Sequence, residues 1–167
     1  MISALLKILL YRSPPIDIEK EEAEQYDQLL ASIGDRQSQV LEYMLPYPKF
    51  RFLSYVSMKE KYVFHGSNNS HIEVFEPREQ TLYNGELAKA VFATTDPIWP
   101  LFYAVFNRSH LIGSFRNGCI LHHNSRYHYF SLNESTMNND PWTQGMLYIL
   151  PKENFTRSES GKVQFDE

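Results

Sequence analysis

The hydrophobic period of this chain changes once, near residue 50, and that change limits the fold more than any other feature. Up to Pro48 the apolar residues recur at helical spacing. Ile2 to Leu10 reads as an amphipathic helix interrupted by Lys7. Ile16-Asp17-Ile18-Glu19 opens a second helix, with Glu21, Glu22 and Glu24 in its first turns and Tyr26, Leu29 and Leu30 on one stripe. Gly34 ends it, Asp35 caps a further helix through Val40, Leu41, Tyr43 and Met44, and Pro46 and Pro48 close that one. From Phe50 onward, where Phe52 to Val56 fits either period, the runs are short and strand-like. They are Tyr62 to Phe64, Ala90 to Thr94, Leu111 to Phe115, Cys119 to His122, Tyr127 to Leu132, Met146 to Leu150 and Val163 to Phe165. Helices first and strands later predict an α+β fold rather than a parallel α/β sheet. The expected organisation is a helical segment over 1–48 packed on a core domain over 49–167.

At 167 residues, 43% of them hydrophobic and 22% charged, the chain has the means to bury a real core. A net charge of −4 gives no general attraction to nucleic-acid phosphates or anionic lipid, so neither is expected as the main partner. The Ile2 to Leu10 run is far shorter than the roughly 20 residues of a membrane span and is expected to dock on the domain. The single cysteine, Cys119, allows no internal disulfide framework and suits a reducing, cytoplasmic compartment. Its apolar setting, Gly118-Cys119-Ile120-Leu121, predicts a buried thiol rather than a nucleophile. The acidic run at 17–24 reads as a solvated helix face.

Two segments carry chemistry. Tyr62-Val63-Phe64 reads as a strand that delivers His65 at its end, and Gly66 exposes its N–H and C=O to whatever lies beside it. Ser67 adds a hydroxyl. Such a corner can grip a flat carboxamide. About one small βα unit later, Ala90 to Thr94 leads into Thr95-Asp96-Pro97, a helix start with Asp96 as N-cap and Pro97 in the first helical position. Trp99, Phe102, Tyr103 and Phe106 would place an aromatic face on the sheet. Between the two segments, residues 76–89 are polar, carry an Asn84-Gly85 turn signal and are the best candidate for a segment that moves over a ligand. No metal site is expected, because adjacent His122 and His123 on a strand would face opposite ways and neither His128 nor Asp140 stands at a recognised ligand spacing.

The pattern of strand-His65-Gly66-Ser67, then Ala90-Val91-Phe92-Ala93, then a helix bearing Tyr103 resembles the NAD-binding core of the ADP-ribosyltransferases, in their diphtheria-toxin and poly-ADP-ribose-polymerase branch. The resemblance spans roughly residues 60–167. It implies split antiparallel β-sheets, with His65 on the adenosine ribose, the Gly66 backbone on the nicotinamide amide, and Phe92 or Tyr103 stacked on the ring. The family's triad Tyr falls on Val91, or on Phe92 with a one-residue slip. The family's Glu, which steadies the oxocarbenium-like transition state, is matched by Glu167 in Lys162 to Glu167, with Glu159 as the other candidate. The implied activity is NAD-dependent mono-ADP-ribosyl transfer with cleavage of the nicotinamide–ribose bond, possible partners being NAD and a protein acceptor. One alternative is a catalytically degenerate module that binds NAD or ADP-ribose. Another is an RNA 2′-phosphotransferase-like enzyme, which would need Arg78, Arg108, Arg116 and Arg126 around a phosphate.

Overall fold

The computed structural model describes residues 2–33, 40–81, 86–123 and 125–156. It is an α+β arrangement in which every strand pairing is antiparallel. Helix α1 (Ile2–Leu9) precedes a two-residue strand β1 (Tyr11–Arg12), then α2 (Lys20–Ile33) and α3 (Lys49–Met58). Strand β2 (Tyr62–Ser67) is followed by the hairpin β3 (Arg78–Thr81) and β4 (Leu87–Ala90), and by helix α4 (Trp99–Val105). A second hairpin, β5 (Phe115–His122) and β6 (Ser125–Leu132), a single-turn helix α5 (Glu134–Met137) and β7 (Met146–Pro151) complete the order.

The helical segment is built into the core instead of lying over it. Tyr26 of α2, Phe52, Leu53 and Val56 of α3, and Phe64 of β2 form one buried cluster. β1 pairs with β6, Tyr11 opposite His128, so the N-terminal segment also supplies an edge of the β5–β6 sheet. A second aromatic group joins α4 to that sheet, with Phe102 stacked on Phe106 and Phe130 at centroid distances of 5.0 and 5.1 Å.

Local expectations shift at several places. The helix expected through Val40 to Met44 is absent from the described residues 40–48, which reach α3 in irregular backbone ended by the Pro48 turn, while Gly34 and Asp35 lie outside the described residues. The Phe52 to Val56 run is helical, because one side of α3 buries Phe52, Leu53 and Val56 at three- and four-residue spacing. Helix α1 forms, yet Leu5, Ile8 and Leu9 are exposed, so it does not dock by them. The Ala90 to Thr94 run is not one strand: β4 ends at Ala90 and only Thr94 pairs again, with Phe64. Residues 111–114 are irregular, and the strand begins at Phe115. The polar segment 76–89 contains the β3–β4 hairpin, with Asn84 and Gly85 outside the described residues, as is the run Val163 to Phe165. No helix among the described residues is long and apolar enough to cross a membrane.

Glu22 corrects the reading of the acidic run as a solvated face. Its neighbours Glu21 and Glu24 are exposed, but Glu22 is 3% exposed. Its carboxylate accepts Nε and Nη2 of Arg51 and the hydroxyl of Tyr26, each at 2.7 Å. This bidentate pair ties α2 to α3. The Arg51 hydrogen bond holds the Glu22 carboxyl below the ordinary carboxylate range in spite of its burial. A carboxyl lowered in the folded state contributes stability above its unfolded value, and that stability is lost as pH falls through the folded one. Wild-type unfolding free energy should therefore begin to fall below about pH 5. Glu22→Gln should cost about 1.5–3 kcal/mol near neutrality and flatten that acid limb, both read by urea denaturation at stepped pH.

Candidate functional site

The His65 corner is shaped by how β2 is paired on its two sides. Against β7 the register sets His65 opposite Tyr148 and Gly66 opposite Leu147. On the other side Phe64 exchanges both backbone bonds with Thr94, at 2.7 and 3.0 Å. Successive residues of an antiparallel strand direct their N–H and C=O to alternate sides. Gly66, two residues beyond Phe64, therefore directs its N–H and C=O away from β7, toward the edge where the 91–94 segment runs. The Thr94 bridge, continued by two residues, would set Phe92 against Gly66. It does not continue: no backbone bond joins Gly66 to Phe92. Among the described residues, the edge of β2 at Gly66 is thus left with a donor and an acceptor side by side.

The side-chain faces of β2 separate in the same way. A Cβ on Gly66 would lie 1.8 Å from the carbonyl oxygen of Pro100, so α4 presses its backbone against that face. The glycine is required by this close approach, whereas the sequence reading assigned it to a ligand. Both demands are compatible, since the helix occupies the Cβ side and the edge carries the polar atoms. His65 projects from the opposite face, where its ring meets Phe75 edge-on at 5.1 Å and Tyr148 at 6.3 Å. Phe75 and Tyr148 are themselves in edge contact at 5.0 Å. The Tyr148 hydroxyl donates to the Asn69 carbonyl and accepts from the Ile72 N–H, fixing the 68–72 turn beside the site.

Nδ1 of His65 lies 2.6 Å from the carbonyl oxygen of Phe92, which can only accept. Nδ1 therefore carries the proton, and in the neutral ring Nε2 is left as an acceptor. Burial lowers the His65 pKa, and the positive charges of Arg108 and Arg78 act in the same direction against the Phe92 hydrogen bond. A half-buried neutral imidazole, two aromatic rings and an unpaired amide edge can accept a hydroxyl and hold a planar amide.

The other expected residues are distributed as follows. Ser67 ends β2 and its Oγ accepts the Asn69 N–H at 3.1 Å. Phe92 joins the site through its carbonyl. Tyr103 stands on α4, the helix packed on the face of β2 opposite His65. Its hydroxyl donates to Asn117 Oδ1 at 3.0 Å, and the Arg108 guanidinium lies over its ring at 5.4 Å. Trp99 Nε1 donates to the same Asn117 oxygen at 2.6 Å. The N-cap of α4 is Ile98 rather than Asp96, which stands two residues before it and whose Oδ1 accepts from the Ile98 and Trp99 N–H groups, and the proline in the first turn is Pro100 rather than Pro97. Arg126 is engaged with Asp96 at 3.3 Å, whereas Arg108 and Arg78 are the arginines whose charge acts on His65. Glu159 and Glu167 lie outside the described residues. Phe75 and Tyr148 were not singled out by sequence, since the β2–β7 register brings Tyr148 to His65 and the irregular stretch after β2 brings Phe75. Comparison with family models, curated proteins and solved structures finds no match.

Two outcomes follow from this geometry. Gly66→Ala should cost about 3 kcal/mol or more, read by denaturant unfolding, because the atom it meets is helix backbone and cannot turn aside. A histidine whose folded pKa is depressed contributes stability above its unfolded value and loses it as pH falls. The His65 resonances should therefore titrate below pH 6.5, and His65→Gln should flatten the decline in stability below about pH 6.5.

Proposed function

We propose that this chain is an NAD-binding protein of the ADP-ribosyltransferase type that cleaves the nicotinamide–ribose bond. The observation that carries the reading is the edge of β2 at Gly66: an adjacent backbone N–H and C=O, unpaired by the 91–94 segment and next to His65. A carboxamide offers the complementary acceptor and donor in one plane. The neutral Nε2 of His65 would accept a ribose hydroxyl, Phe75 and Tyr148 would supply apolar walls on the His65 face, and Phe92 would be the ring that stacks on nicotinamide. Departure of nicotinamide leaves positive charge on the ribose, and a carboxylate, Glu167 or Glu159, would stabilise it. The acceptor of the ADP-ribosyl group would be a protein side chain.

A second reading is favoured by Val91, which stands where the family carries its triad Tyr. In it the same corner binds NAD or ADP-ribose without turnover. The RNA 2′-phosphotransferase-like alternative loses support from Arg126, which is engaged with Asp96.

Calorimetry of the full chain with NAD should give a dissociation constant on the order of 1 μM to 1 mM, weakened at least ~10-fold by His65→Ala. Free nicotinamide should accumulate with wild type and not with Glu167→Ala or Glu159→Ala, whichever carries the chemistry. Binding without nicotinamide release would select the second reading, and no binding of NAD or ADP-ribose would remove both.

A further inference from the structure

A second convergence lies at the entrance to α4, apart from the His65 corner. Asp96 in the turn before the helix, Cys119 on β5 and His128 on β6 are all buried, and a ligand-type atom of each lies within 4.8 Å of the other two. Asp96 Oδ2 is 3.0 Å from His128 Nε2 and 3.7 Å from Cys119 Sγ. His128 is 1% exposed, yet its Nε2 makes no hydrogen bond: the approach to Oδ2 is short but poorly aligned. A buried imidazole nitrogen left this way is costly, and an ion is one of the partners that can satisfy it.

On its other side Nδ1 of His128 lies 3.3 Å from Ser13 Oγ. Donation from Nδ1–H to that hydroxyl would leave a lone pair on Nε2, facing a carboxylate oxygen and a sulfur. In that tautomer, and with the thiol ionised, three electron-pair donors converge.

We propose that Asp96, Cys119 and His128 hold a zinc ion. Nitrogen, oxygen and sulfur together form a donor set that zinc takes, and tetrahedral bonds of about 2.0–2.3 Å set ligand atoms about 3.3–3.8 Å apart. The separations of 3.0 and 3.7 Å need only small adjustment. On binding, the Cys119 thiol loses its proton to solvent and the thiolate joins the metal, with water in the fourth position. The ion would fasten the β5–β6 hairpin to the turn that opens α4. Arg126 opposes it, since its Nη1 lies 3.3 Å from the same Asp96 oxygen and repels a dication. This site does not depend on the NAD reading.

The full chain, stripped with chelator and titrated with Co2+, should take up one equivalent with a thiolate-to-cobalt charge-transfer band that Zn2+ abolishes, and Zn2+ should raise Tm. Cys119→Ser should lose the band and bind Zn2+ at least ~10-fold more weakly. Arg126→Gln should bind Zn2+ several-fold more tightly, a gain that loss of a structural ion pair would not produce. Should Cys119→Ser fail to fold, the wild-type cobalt spectrum and the Arg126→Gln affinity decide. Folded wild type with no charge-transfer band and a Tm indifferent to Zn2+ would overturn the site, as would a Cys119→Ser variant that binds Zn2+ unchanged.

Discussion

The contact on which the rest of the molecule depends is the seating of α4 against the β2–β7 pair, where two glycines remove the atoms that would hold the backbones apart. A Cβ on Gly66 would meet the Pro100 carbonyl, and one on Gly145 would lie 1.9 Å from the Ala104 carbonyl oxygen and 2.5 Å from that of Ser67. Pro100 and Ala104 are one turn apart on α4, so a single helix face rests on both strands. Backbone cannot yield as a side chain does, and this makes the two glycines a steric requirement. The consequence reaches the site. With one face of β2 sealed by the helix and one edge taken by β7, the polar atoms of Gly66 have a single direction left, and His65 a single face.

The aromatic content of the chain serves packing in most places. Phe102 and Phe106 are buried between α4 and the β5–β6 sheet, and Tyr26 and Phe52 between the helices and β2. Buried Tyr26 also needs a partner for its hydroxyl, which Glu22 supplies while Arg51 supplies the charge that makes a buried Glu22 tolerable. That cluster explains why the N-terminal helices are part of the core: without α2 and α3, Phe64 on β2 would lose its cover.

The legible parts of the sequence were those where neighbouring residues decide the outcome. Tyr62-Val63-Phe64 made a strand, the period of Phe52, Leu53 and Val56 made a helix face, and Asp96 accepts backbone N–H groups at the entry of α4 although the N-cap itself is Ile98, since each depends on residues a few positions away. The less legible parts hinge on long-range register. Tyr148 stands 83 positions from His65 and reaches it only because β7 pairs with β2 in one alignment of two. Glu22 looks like its exposed neighbours in sequence, and only the docking of α3 buries it with Arg51. The Ala90 to Thr94 run misled for a different reason. Its composition favours a strand throughout, but β4 draws Ala90 to β3 while Thr94 is bound to Phe64, and the residues between must leave both ladders.

That interrupted stretch, 91–97, is where the two polar groupings of the molecule come closest to each other along the chain. The Phe92 carbonyl fixes the tautomer of His65, Thr94 pins the segment to β2, and Thr94 Oγ1 accepts the N–H of Asp96. Asp96 then spends one oxygen on the N-terminus of α4 and turns the other to His128, Cys119 and Arg126. Burial disfavours its charge, but His128, the Trp99 N–H and Arg126 together keep the carboxyl below its usual range, so it is an anion at the root of the helix. Its charge in turn adds to burial in pushing the Cys119 thiol up to about 12, so the thiol keeps its proton at neutral pH. Hydrogen bonds at Phe92, Thr94 and Asp96 thus hold this stretch from the His65 corner to the entry of α4. A strand continuous from Ala90 to Thr94 would have closed the Gly66 edge, and the break leaves that edge unpaired by residues 91–94.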